Sequence, residues 1–136
     1  MKLRNVCFTL YICLLMCFAS ACAGAGDWMS QPLPGNFIVI RSNNDQVQLC
    51  IPDEDFTGGT PVVGPVITKI SYNEEYLLLK VKEPSKVFER NYYIVIVESK
   101  EVLGPFSEED FREALKERNV TDITWQDIDD LPKMED

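Results

Sequence analysis

Hydrophobic and polar residues alternate along much of the chain from residue 37 onward, the pattern of half-buried β-strands. Val47, Leu49 and Ile51, for example, are separated by glutamine and cysteine. Residues 92–97 are apolar at nearly every position, which predicts a central strand buried on both faces. Six segments carry strand signals, namely residues 37–41, 46–51, 66–72, 77–82, 92–97 and 102–103.

Short polar turns separate most of these strands. Asn43-Asn44-Asp45 and Asn73-Glu74-Glu75 are typical turn clusters. Because short connections bring consecutive strands side by side, we expect an antiparallel meander. The stretch 52–65 contains three acids, three prolines and two adjacent glycines, and is predicted to be a loop.

One α-helix is predicted to start after Ser107. Ser107 is a good N-cap, and Asp110 three residues later resembles the second member of a capping box. Phe106 and Phe111 have the spacing of a hydrophobic staple, and Asn119 is a suitable C-cap. Residues 121–128 are expected to add a last short strand. The predicted fold class is α+β, an antiparallel β-meander of five or six strands with one C-terminal α-helix.

The N-terminus has the three parts of an export signal, which we expect to be cleaved. Lys2 and Arg4 precede an apolar run over residues 6–18, and small residues follow. Ordinary signal peptidase cleavage fits Ala19-Ser20-Ala21. The same residues with Cys22 resemble a bacterial lipobox, with Ala19 where leucine is usual, and predict acylation of Cys22. An uncleaved anchor extending to Ala25 is a further alternative.

These signals predict four regions along the chain: a lipoprotein-type signal peptide at residues 1–21, a lipidated cysteine and flexible tether at 22–36, a single α+β domain at 37–128 and an acidic tail at 129–136. The 14 tether residues after Cys22 would reach about 45 Å if fully extended. Trp28 and Met29 are expected either to dock on the domain or to lie at the membrane interface.

Composition excludes several classes of function. Removing Lys2 and Arg4 with the signal leaves 11 basic and 22 acidic residues, a net charge of −11, whereas nucleic-acid binding requires a basic patch. The chain has no histidine, so a Ser-His or Cys-His nucleophile cannot form. Three of the five cysteines lie in the signal, so Cys22 and Cys50 remain after cleavage. These two could form a disulfide if Cys22 is not acylated. No cofactor and no metal are predicted.

Two acidic segments are candidate cation sites. The loop that begins at Asp53-Glu54-Asp55 resembles the start of an EF-hand, but its twelfth position is Gly64 rather than a bidentate glutamate. A solvated turn is the better interpretation. The acids near the C-terminus, Asp122, Asp127, Asp129 and Asp130, fit either a cation site or a polar chain end.

Four tyrosines are candidate binding residues, namely Tyr72, Tyr76, Tyr92 and Tyr93. In a meander, some of them would lie on the sheet face opposite the helix. Exposed aromatic rings on a sheet suit contact with a protein or a glycan. The alternative is that these rings cover a thin core.

The chain resembles a family of small bacterial lipoproteins known only as a domain of unknown function. The resemblance rests on the lipobox-like Cys22, the Pro-Gly-Asn start at Pro34, and three longer segments: Ile70–Tyr76, Tyr92–Ile96 and Gly104–Phe111. It covers nearly all of the chain after the signal. It implies a lipoprotein of a bacterial envelope and implies no activity.

The sequence therefore predicts a protein anchored by lipid in a bacterial cell envelope, facing the periplasm or the exterior. Its expected role is a non-catalytic binding or protein-interaction module, with an envelope protein or a glycan as partner and no nucleic acid. Two alternatives are a small secreted hydrolase that uses carboxylates and an inhibitor or immunity-type protein for a basic partner.

Overall fold

The chain forms two antiparallel sheets and one α-helix within the residues that the computed structural model describes, 27–82 and 89–135. The predicted signal and Cys22 lie outside these residues. The strands are β1 (Trp28–Met29), β2 (Ile38–Asn43), β3 (Gln46–Pro52), β4 (Gly59–Val63), β5 (Ile67–Tyr72), β6 (Tyr76–Val81), β7 (Tyr92–Ile96), β8 (Val102–Phe106) and β9 (Gln126–Asp127), and helix α1 is Glu108–Glu117. Among the described helices, none is long and apolar enough to cross a bilayer.

The strands divide into two sheets where a single meander was predicted. One sheet has the order β1-β2-β3-β4 and the other β8-β7-β6-β5-β9. All six predicted strands are present, the last short strand expected within residues 121–128 is β9, and the additional strands are β1 and β4. Strand β4 lies within the stretch 52–65, which was predicted to be a loop from its acids, prolines and glycines. Its Pro61 is tolerated because β4 lies at the edge of its sheet, where the N–H that proline lacks is not needed.

The five-stranded sheet is covered on both faces. Leu77 and Leu79 pack with the other sheet in the main core, whereas Leu78 between them packs with helix α1. This arrangement explains a run of three leucines in one strand, since successive side chains of a strand point to opposite faces. Strand β7 is also buried on both sides, as predicted, but the middle strand of its sheet is β6.

The junction between β8 and α1 depends on Gly104 and Ser107. Gly104 has a φ of +119°, and a Cβ there would lie 2.7 Å from the carbonyl oxygen of Tyr92, so a larger residue would clash. The Ser107 hydroxyl accepts a hydrogen bond from the Asp110 N–H at 3.1 Å, which confirms the predicted N-cap.

The helix ends in a Schellman motif. Arg118 is the C-cap, and Asn119 takes the left-handed conformation one position later, with a φ of 55°. The Val120 N–H bonds to the Leu115 carbonyl and the Asn119 N–H to the Lys116 carbonyl. The helix therefore ends at the predicted asparagine, although Asn119 follows the cap rather than forming it.

Both ends of the described chain pack on the domain, which shortens the predicted tether and tail. Strand β1 pairs with β2, and Leu33 is buried in the main core. Within the predicted tail, Leu131 is buried in the same core and Lys133 forms a β-bridge with Ser30. These contacts arise because each end carries a leucine, Leu33 or Leu131, that the core accepts.

Candidate binding cleft

A polar cleft of about 270 Å³ lies where strand β5 ends beside the segment that leads into β9. Two adjacent residues at the end of β5 contribute to it, together with every second residue of 122–126. The lining residues are Ser71, Tyr72, Asp122, Thr124 and Gln126. The cleft thus joins parts of the chain that are about 50 residues apart in sequence.

The segment 122–126 is held in place by its other side chains. Ile123 and Trp125 are partly buried against the hydrophobic cluster beneath helix α1. The Trp125 ring lies 6.1 Å from the Phe111 ring and 6.3 Å from the Tyr92 ring. Gln126 pairs with Ile70 in the β9–β5 ladder. Apolar packing on one side therefore fixes the polar residues on the cleft side.

Ser71 is the most informative residue of the cleft. Ser30 and Ser71 are the buried polar residues of the described chain, with 0% and 5% exposure. The Ser30 hydroxyl donates to the Gln31 carbonyl and accepts from the Val39 N–H, both at 2.9 Å. The Ser71 side chain has no hydrogen-bond partner among the described residues. The hydroxyl is open to the cleft rather than sealed in the interior, so it can both donate to and accept from whatever occupies the cleft.

The lining combines hydrogen-bond donors and acceptors with one negative charge. Ser71 and Thr124 carry hydroxyls, Gln126 carries an amide and Asp122 a carboxylate. The residues that line the cleft include no lysine or arginine. This set suits an uncharged polar ligand better than an anion.

The four predicted tyrosines do not share a surface. Tyr72 lies at the cleft and, at 38% exposure, is the exposed large hydrophobic residue of the described chain. Tyr76 and Tyr92 pack against the helix cluster, where the Tyr92 ring stacks on Phe111 with centroids 4.7 Å apart. Tyr93 does lie on the face opposite the helix, but the second sheet covers that face.

The predicted acidic segments form no metal cluster in the described part of the chain. In the β3–β4 turn, the Asp55 carboxylate accepts hydrogen bonds from the Thr57 hydroxyl at 2.8 Å and the Thr57 N–H at 3.2 Å. These bonds hold the pKa of Asp55 below its usual value. The turn is therefore closed by its own side chains.

The four C-terminal acids have different surroundings. Asp122 lines the cleft, Asp127 forms an ion pair with Lys69 at 3.4 Å, and Asp129 pairs with Arg41. Asp130 is exposed. Asp122 is thus the carboxylate that is placed to contact a ligand in the cleft.

Cys50 is buried and holds a free thiol. Burial, and secondarily the charge of Asp53, raises the pKa of this thiol to about 11. A thiol with a raised pKa is a poor nucleophile, which favours a structural role.

Sequence reasoning missed Ser71, Thr124 and Gln126 as site residues, and considered Asp122 only as a cation ligand. A signal was present, because Asp122, Thr124 and Gln126 alternate with the apolar Ile123 and Trp125. That alternation indicates a segment with one polar side, but not which strand it faces.

Comparison with known proteins places the chain in a family. No curated protein and no solved structure matches it. Residues 34–129 match a family described as a protein of unknown function, DUF3997. The match begins at the Pro-Gly-Asn turn and includes strands β2 to β9, helix α1 and all five residues of the cleft. The chain belongs to this family of proteins of unknown function, DUF3997.

Proposed function

We propose that the protein is a lipid-anchored lipoprotein of a bacterial cell envelope whose domain is a non-catalytic binding module. The anchor is Cys22, and the binding site is the polar cleft at the end of β5. The observation that carries the binding role is the hydroxyl of the buried residue Ser71, which opens onto the cleft and has no partner among the described residues.

The lipid anchor is supported by the sequence around the predicted cleavage site. A basic start, an apolar run and small residues directly precede Cys22. Two or more acyl chains would hold a protein stably on a membrane, at about 0.8 kcal/mol for each buried CH₂. The acidic domain would gain nothing from anionic lipid, so the acyl chains would supply the attachment.

A binding role is favoured over hydrolysis by the chemistry of the cleft. Glycoside hydrolysis normally requires two carboxyl groups on either side of the scissile bond. Asp122 supplies one carboxylate to the lining, and the remaining groups are hydroxyls, an amide and a phenol. Such groups orient a ligand by hydrogen bonds.

Two measurements test this proposal. Intact-mass analysis of the membrane fraction should give a chain that begins at an acylated Cys22, and Cys22→Ala should remain unprocessed. A soluble mature form that begins elsewhere would contradict the anchor.

Photo-crosslinking in native membranes tests the binding role. A photoreactive residue in place of Thr124, which is exposed at the cleft, should capture envelope material. The same residue at Lys116, on the exposed side of helix α1, is the matched control. Equal capture at both positions would contradict a binding role for the cleft.

A further inference from the structure

We infer that the ligand of the cleft is a neutral carbohydrate, recognised through its hydroxyl groups. This inference rests on the proposed function, because it names the ligand class of the same site. It comes from the combination of an unpartnered hydroxyl on a buried serine, one carboxylate, one amide and an exposed tyrosine around one small cavity.

The hydrogen-bonding groups match a polyol. A sugar hydroxyl both donates and accepts, as does the side chain of Ser71, so either partner can satisfy the other. The Asp122 carboxylate only accepts, and it can take hydrogen bonds from two neighbouring hydroxyls. Gln126 adds a donor and an acceptor on the same amide. Each of these groups lines the cleft.

Tyr72 provides the apolar part of such a site. It lines the cleft and remains exposed although it is large and aromatic. A tyrosine presents an apolar ring with a polar tip. A pyranose has the complementary form, with C–H groups on its faces and hydroxyls around its rim.

The volume of the cleft and the charge of its lining restrict the class of ligand further. The volume of about 270 Å³ is slightly below the range of about 300–1,000 Å³ for drug-sized ligands, which suits one or two sugar rings. An anionic ligand would meet Asp122 without a basic residue in the lining to balance it. A neutral saccharide carries no such penalty.

Saturation-transfer NMR on the full chain, extracted from membranes in detergent, tests this inference. The probes are methyl β-glucoside, N-acetylglucosamine and di-N-acetylchitobiose, with choline as the cationic comparator and inorganic phosphate as the anionic one. We expect transfer to the ring protons of at least one saccharide. We expect Asp122→Asn to weaken that binding about tenfold or more, since a charged acceptor is lost.

Two further variants distinguish binding at the cleft from a general effect of substitution on the protein. Thr124→Val removes a hydroxyl from an exposed cleft position and should also weaken binding. Asp130→Asn neutralises an exposed carboxylate on the same part of the chain outside the cleft lining, and should bind like the unmodified chain. Thermal unfolding checks that each variant is folded.

Several results would overturn the inference. Absence of saccharide binding at millimolar concentration, or binding that the cleft variants leave unchanged, would exclude the cleft as a carbohydrate site. Preference for choline or phosphate would assign another ligand class. If Cys22 is acylated and crosslinking at the cleft captures only protein, the proposed function stands and the carbohydrate ligand alone is wrong.

Discussion

Ser30 and Ser71 are both buried, but their hydroxyls have different surroundings. Ser30 has two backbone partners, and Ser71 has none among the described residues. Removing the Ser30 hydroxyl leaves the Val39 N–H without an acceptor in the interior, which costs about 1–3 kcal/mol. Removing the Ser71 hydroxyl leaves no protein group unpaired.

Ser30→Ala should therefore lower the free energy of unfolding by about 1–3 kcal/mol. Ser71→Ala, measured without ligand, should change it by less than about 0.5 kcal/mol or raise it. Urea unfolding of both variants makes the comparison. A similar loss in the two variants would show that Ser71 has a structural partner, which would remove the main reason for regarding the cleft as a binding site.

Cys50 should make the stability of the fold depend on pH in the alkaline range. Burial and Asp53 raise the pKa of its thiol from the ordinary value of 9.0 to about 11 in the folded chain. The folded state therefore keeps a proton that the unfolded state releases. This contribution to stability is complete below pH 9 and is lost as the pH rises towards 11.

Across this pH range, ionisation of Cys50 should lower the free energy of unfolding by about 2–3 kcal/mol. Other groups titrate there as well, so the measurement is the difference between the unmodified chain and Cys50→Ala. Denaturant unfolding at several pH values should show the unmodified chain losing stability more steeply than the variant above pH 9. Parallel curves would mean that the thiol is not desolvated.

At the scale of secondary structure, helix α1 depends on its N-cap. The Ser107 hydroxyl satisfies the Asp110 N–H, and the first helical turn carries three acids that suit the positive end of the helix. Ser107→Ala should lower the free energy of unfolding by about 1 kcal/mol. Ser107→Asp retains an acceptor at the cap and is the matched control. Trp125 fluorescence can follow unfolding, since this ring packs beside Phe111 of the helix. Equal stability of the two variants would contradict a stabilising role for the Ser107 cap.

The strands and the helix were predictable because their signals are local. Alternation over a few residues identified β3 and β5, and Ser107 with Asn119 marked the ends of α1. The division into two sheets was not predictable, because alternation shows that one strand face is buried but not what covers it. Strand β1 has only two residues, too few for a periodic signal.

The cleft was harder to predict than the strands for a related reason. Tyr72 was identified from its residue type, and it is exposed at the cleft. Ser71 and Asp122 become neighbours of one cavity only when the chain after α1 returns to β5. No local pattern encodes that return, so sequence reasoning selected Tyr92 and Tyr93, which the helix and the second sheet cover instead.

At the scale of the whole molecule, docking of β1 shortens the link to the proposed anchor. Only residues 23–27 separate Cys22 from Trp28, and they reach about 20 Å at full extension. The predicted tether would have reached about 45 Å. On the proposed anchor, the domain is therefore confined close to the membrane surface.

Energy transfer from tryptophan to dansyl-labelled lipid measures this confinement. The acylated chain in vesicles should show strong transfer from Trp28, obtained as the difference from a Trp28→Phe variant. Inserting about nine Gly/Ser residues after Gly26, which restores the predicted tether length, should reduce the transfer as the domain moves outward. Unchanged transfer would indicate that the docked β1 does not set the distance.

Two contacts close the domain between its ends and affect the order in which it can be assembled. They are the β-bridge between Ser30 and Lys133 and the hydrogen bond from the Met134 N–H to the Met29 carbonyl. These contacts join residues about 100 positions apart, so they form only after nearly all of the domain is available. A chain exported from its N-terminus would keep β1 incompletely paired while the rest is still being translocated. On the proposed export, the domain could therefore be completed only after residue 134 had crossed the membrane.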